Sequence, residues 1–355
     1  MDSKIKFYLS FLTVCSVVFI GTHLLHSDQY SLKSDEGYYY KYVTAFAKDG
    51  FSCFTNLINE YEHNPKDLWY PPPTRVGYSI PLGCAYRFYP SVNLLGIFSF
   101  FCFILSLWVN LHFSKKVFKD KISAYALTAL LASSPLLMGL SRRALIDSFV
   151  FLLSISILWL CTDYVLNKNK KQLGFICLMF IWALLAKEGS FLFLPFILIS
   201  CWLAREESAW PLKPWLFVCF SAFLGAWFIP GVIFSFHFGI NLHIISLINQ
   251  AVFINPYLIH YCQGPWFRYI VDGILLSPIV ALLAIGYGGY ALLQRDYLRI
   301  TGLWFIFYIT VYCSLLVYQK NVRYAASLEA VYCLFAFLAL SYSVYCKEPS
   351  CPPDR

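Results

Sequence analysis

The sequence predicts an all-α polytopic membrane protein of about ten transmembrane helices, with a long first extracytoplasmic loop carrying interfacial helices. Three observations carry this. Of 355 residues, 59% are hydrophobic and 13% charged, against about 25% charged in a soluble domain. Apolar runs of roughly 20 residues recur along the whole length, each able to cross a ~30 Å hydrocarbon core at ~1.5 Å per residue. Lys and Arg gather in alternate connections between these runs. No hydrophilic block is long enough for a soluble domain, so the chain reads as one transmembrane domain, 1–345, with a short cytoplasmic tail, 346–355.

The first apolar run follows Lys4 and Lys6. It is longer than a signal-peptide core and lacks a small-x-small cleavage site, so it reads as an uncleaved span. The spans are expected near 5–25, 91–113, 122–140, 147–166, 173–186, 189–204, 214–236, 269–293, 300–318 and 325–345. The fifth and sixth are short and meet at Lys187-Glu188. Ten spans put both termini on one side. The connections there hold fifteen Lys and Arg, among them Lys115, Lys116, Lys121, Lys168, Lys170 and Lys171, whereas the short connections opposite hold six: Arg142, Arg143, Lys187, Arg268, Lys320 and Arg323. By the positive-inside rule both termini are cytoplasmic. The net charge of +8 follows from this topology and is no nucleic-acid signal.

The segment 26–90 is the first extracytoplasmic loop. Its stretch 36–48 puts Tyr39, Tyr42, Val43, Phe46 and Ala47 on one face, which suits a helix lying on the bilayer. Trp69-Tyr-Pro-Pro-Pro is too proline-rich to be helical. The apolar 76–90, with Arg75 before it and Pro81 and Arg87 within, reads as a second interfacial helix. Thirteen cysteines lie mostly in apolar runs, without CxxC or Cys/His metal spacing; a disulfide among Cys53, Cys84 and Cys262 is open.

Four polar clusters fall on the extracytoplasmic side: Ser34-Asp35-Glu36, Ser141-Arg142-Arg143 with Asp147, Lys187-Glu188, and Lys320 with Arg323. Ionisable groups at membrane depth are costly and suggest function. Each also has a structural reading. Asp35 or Asp147 would cap a helix, Arg142 and Arg143 anchor at the interface, Lys187-Glu188 form a polar turn with its own ion pair, and Arg323 snorkel.

In order, the segments SDEGYYYKYVTAFAKDG, PPPTRVGYSIPLGCAYRFYP, SSPLLMGLSRRALIDSFVFLL, LLAKEGSFLFLPF, GPWFRYIVDGILLSPIVALL and NVRYAASLEAVYCLFAFLAL resemble motifs of the GT-C superfamily. The similarity is to the branch holding protein O-mannosyltransferases and the lipid A aminoarabinose transferase. Departures are Val76-Gly77 where Pro-Pro is common, Glu329 after Arg-Tyr, and an end at span ten where many relatives continue.

The resemblance implies an inverting glycosyltransferase that moves a sugar from a polyprenyl-phosphate donor to a hydroxyl of a lipid, glycan or protein. Its location would be the bacterial inner membrane or the endoplasmic reticulum. Asp35 would be the base, with Glu36 and Asp147 orienting sugar or acceptor. Arg75, Lys187 and Arg323 would face the phosphate, and Arg142, Arg143, Glu188 and Tyr324 would complete the substrate site. No cofactor is implied; a divalent ion on Asp35, Glu36 and Asp147 is the lesser alternative. The competing readings are a polytopic transporter of a lipid-linked or small polar substrate, favoured by the short fifth and sixth spans, and a membrane scaffold that would not need the acidic pair.

Overall fold

The computed structural model describes residues 34–64, 67–118, 121–205, 211–235, 237–252, 264–294, 299–315 and 322–345. The expected first span, Lys320, Cys262 and the C-terminal tail lie outside the described residues. Within them the chain is helical throughout, without a strand.

The loop before the first long helix holds α1 (Asp35–Asp49), α2 (Cys53–His63) and α3 (Val76–Tyr86). Tyr39, Tyr42, Val43 and Phe46 do share one face of α1, but that face packs on protein rather than on lipid, because α3 lies against it. Ala47 is only half-buried. Neighbouring tyrosines bind the proline-rich strap. Tyr42 donates to the Pro71 carbonyl at 2.7 Å, and Tyr38 to Asp67 at 2.6 Å. Burial pushes both phenols above their ordinary range, so both keep the proton they donate. The strap thereby delivers Arg75 to α1.

The membrane helices follow: α4 (Asn93–Val117), α5 (Lys121–Ala132), α6 (Pro135–Ser141), α7 (Asp147–Asn167) and α8 (Lys171–Ala186). A tight turn at Glu188–Phe193 then leads into α9 (Leu194–Leu203). After it come α10 (Leu212–Ile233), α11 (Ile240–Val252), α12 (Arg268–Leu276), α13 (Pro278–Gln294) and α14 (Arg299–Leu315). The turn Val322–Ala325 leads into α15 (Ala326–Tyr345). Among the described residues four helices are long and apolar enough to cross a membrane: α4, α7, α10 and α15 with its leading turn. The bent pair α5–α6 makes a fifth, and α8, α9, α13 and α14 are shorter apolar helices at the remaining expected spans.

Two expected spans are broken. The span at 122–140 bends by 64° between α5 and α6, and the span at 269–293 breaks at Ser277 before Pro278. The cause is the same. A residue before proline is pushed out of the α region, and Ser134 before Pro135 is extended at φ −62°, ψ 118°. Ser134 then accepts the Leu137 amide and gives its hydroxyl to buried Glu329 at 3.0 Å. That bond ties α15 to the bend.

The core forms around α7, which packs on α4, α8, α9, α14 and α15. A helix apolar all round belongs in such a centre. Its polar atoms are matched across helices, as lipid requires. Trp159 donates to Asn110 at 3.1 Å, Asn110 to Thr128 at 3.0 Å, and Trp304 to Thr162 at 3.0 Å, with the two indoles edge-on at 4.8 Å.

Gly77 sets how α3 meets the end of α8. A Cβ there would lie 2.8 Å from the Ala186 amide nitrogen and 2.8 Å from the Leu185 carbonyl carbon, backbone atoms that cannot rotate away. Gly77→Ala is expected to destabilise by about 1–3 kcal/mol through overpacking, read as a lower unfolding temperature in detergent. Gly139→Ala, where a Cβ meets nothing within 4 Å, is the control and is expected to be neutral or mildly stabilising.

Candidate functional site

Asp35 and Glu36 open α1, where carboxylates also favour the positive helix end. Neither residue serves as the cap. Ser34 holds that position, extended and without a side-chain cap bond, and both carboxylates reach across the fold. Asp35 is ion-paired with Arg323, in the turn before α15. Glu36, 1% exposed, accepts from Arg143 at 2.7 Å and from the Ala144 amide at 3.1 Å, both in the turn between α6 and α7. Arg142 ends α6 at the same turn, half-buried.

Asp147 is the first residue of α7, and its side chain does not cap it. It is 4% exposed and accepts from Lys187 at 2.9 Å. Lys187 ends α8 in extended backbone, φ −154° and ψ 124°, so it and Glu188 point to opposite sides. The Lys187–Glu188 ion pair of the alternative, structural reading therefore does not form. Glu188 turns instead to Arg75 and takes a bidentate fork, at 2.5 Å from Nη2 and 3.1 Å from Nε. Arg75 Nη1 donates to the Tyr39 hydroxyl. Tyr324 closes the cluster, its ring 4.4 Å from the Lys187 ammonium and 5.5 Å from the Arg323 guanidinium carbon, within cation–π range.

Four cations and four carboxylates thus meet as matched pairs, from segments up to 288 residues apart. Each carboxylate considered for a divalent ion faces a different cation, and no group of three or more His, Cys, Asp or Glu stands together among the described residues. Cys53 and Cys84 are free thiols.

Beside the charged cluster lies a cavity of about 410 Å³, within the range of small-molecule sites. It is bounded by Leu184 of α8, Phe191, Ala222, Phe223 and Trp227 of α10, and Leu242 and Ile245 of α11; Glu188 and Asn241 are its polar wall. Glu188 is therefore shared between the charged cluster and the apolar cavity. Sequence reasoning missed α11, which fell in an outer loop. A signal was there: Ile240, Ile244, Leu247 and Ile248 follow the i, i+4, i+7, i+8 spacing of one helix face, and the first two are buried.

No family model and no curated protein matches the sequence. A solved structure does. The crystal structure of ArnT from Cupriavidus metallidurans in the apo state matches with a TM-score of 0.59 at 14% identity, over 96% of this chain and 60% of that one. The fold is GT-C-like. With its apolar helices, this makes the chain an integral membrane protein. At 14% identity the likeness is one of fold and does not single out a branch, and the chain spans 60% of the neighbour's length.

Proposed function

We propose that the protein is an inverting glycosyltransferase, moving a sugar from a polyprenyl-phosphate carrier to a hydroxyl acceptor on the extracytoplasmic face. The observation that carries this is the matched acid–cation cluster opening beside an apolar cavity through Glu188. A carrier has both parts, an anionic head and an apolar tail. The likeness of fold to ArnT agrees with this reading.

In this reading Asp35 takes the proton of the acceptor hydroxyl while the acceptor oxygen forms its bond to the anomeric carbon. The bond from that carbon to the phosphate oxygen breaks, and the phosphate leaves with its lipid. One displacement inverts the anomeric centre. The developing charge on phosphate is met by Arg323 and Lys187, which share the Tyr324 ring and present a planar fork and a point charge. Glu36, held by Arg143 and the Ala144 amide, and Asp147 border the sugar. At rest Arg323 is paired with Asp35, so an arriving phosphate competes with Asp35 for the guanidinium and leaves the carboxylate free to act as a base.

The test is sugar release by the purified protein in detergent from a panel of radiolabelled polyprenyl-phosphate sugars with mixed lipid and glycan acceptors. Consumption of one donor, with free polyprenyl phosphate as coproduct, is expected. If no donor is consumed while the protein carries a lipid-linked substrate across vesicles, the transporter reading replaces this one.

A further inference from the structure

We propose that Tyr39 touches the substrate directly, its hydroxyl giving a hydrogen bond to a phosphate oxygen of the carrier, and that Arg75 and Glu188 are its holder. This rests on the transferase reading above and adds a contact to it.

Tyr39 is 2% exposed on α1. A helical side chain covers the turn before its own Cα, so Tyr39 lies over the turn of Asp35 and Glu36. Its ring is fixed edge-on against Tyr78 at 5.1 Å between centroids. Its oxygen accepts from Arg75 Nη1, and among the described residues this is the one hydrogen bond of its hydroxyl. The phenolic proton is therefore left to give. Burial pushes the phenol well above its ordinary range; Arg75 and Arg323 pull it down, and Asp147 and Asp35 push it up. The group stays a neutral donor at physiological pH.

Arg75 is spent on this arrangement. Its Nε and Nη2 face both oxygens of Glu188 in a bidentate fork, and its Nη1 is on Tyr39. A phosphate at Arg75 would have to displace a well-formed, nearly buried pair (12% and 19% exposed). A phosphate that accepts from Tyr39 breaks no hydrogen bond that its hydroxyl donates. An O–H whose oxygen is bound to a guanidinium is polarised, and such a donor favours an anionic acceptor. Of the charged groups that act on Tyr39 the strongest is a cation, Arg75, and a nearby cation favours an anion at the hydroxyl. Arg75 is then a positioning residue, acting through Tyr39.

The experiment compares binding of farnesyl phosphate and of farnesol to the purified full chain in detergent, for wild type, Tyr39→Phe and a variant with 3-fluorotyrosine at position 39. Tyr39→Phe is expected to bind farnesyl phosphate about tenfold more weakly, the low end for a hydrogen bond to a charged group, with farnesol binding unchanged. The fluorinated phenol, a stronger donor of nearly the same shape, is expected to bind farnesyl phosphate at least as tightly as wild type. Tyr39→Phe binding the phosphate like wild type overturns the proposal. So does an equal loss for both ligands, which marks a packing role. If wild type itself does not distinguish farnesyl phosphate from farnesol, it is the carrier reading that falls, and this proposal with it.

Discussion

Asp35→Asn is expected to lower sugar transfer about 10³-fold, within the range for loss of a general base, while polyprenyl phosphate still binds. Asparagine keeps the shape of the side chain and an oxygen for Arg323, so the change is confined to basicity and charge. It also removes the resting ion pair of Asp35 with Arg323. The guanidinium then meets the carrier phosphate without a carboxylate competitor, so binding of the lipid phosphate is expected to be as tight as in wild type or tighter. Single-turnover rates and equilibrium binding, measured on the same preparation, separate the two effects. Full turnover in Asp35→Asn would move the base elsewhere, with Asp147 next in line. Lost binding together with lost turnover would mean that Asp35 holds the architecture together.

The second large effect concerns stability. Lys187→Met leaves Asp147, 4% exposed, as a buried carboxylate without its nearest cation. Breaking one partner of such a pair costs about 3–5 kcal/mol, because a buried charge is left without the group that repaid its desolvation. A large fall in unfolding temperature in detergent is expected for Lys187→Met. The double variant Lys187→Met/Asp147→Leu removes both charges and is expected to recover most of that stability, though no activity. If the single and double variants are equally unstable, Lys187 acts through its packing on Tyr324 rather than through Asp147.

The two substitutions probe different things the sequence could and could not reveal. Asp35, Glu36, Asp147, Lys187 and Arg323 were each visible as charges at the ends of apolar runs, where ionisable groups are rare. Their partners were not. For Glu188 the sequence offered its neighbour Lys187, whereas the partner is Arg75 at a separation of 113 residues. The extended backbone at Lys187 decides against the neighbour, because successive side chains of an extended chain point apart. The face of α1 was legible from its spacing, but not what covers it. A bilayer and the apolar face of α3 ask for the same residues. Tyr39 was hidden inside that face, since a buried tyrosine is read first as packing.

By itself the sequence determined where the chain is helical and apolar enough for a membrane, because hydrocarbon requires every backbone polar group to be matched within its own helix. The breaks before Pro135 and Pro278 came only with the structure, since the spans at 122–140 and 269–293 read as continuous, although each proline acts on the residue just before it. Only the tertiary structure decided which carboxylate meets which cation, that α11 closes a cavity against α8 and α10, and that Glu188 belongs to both. Those outcomes depend on contacts between segments far apart in sequence, and the spacing of residues along one helix carries no information about the element that will pack against it.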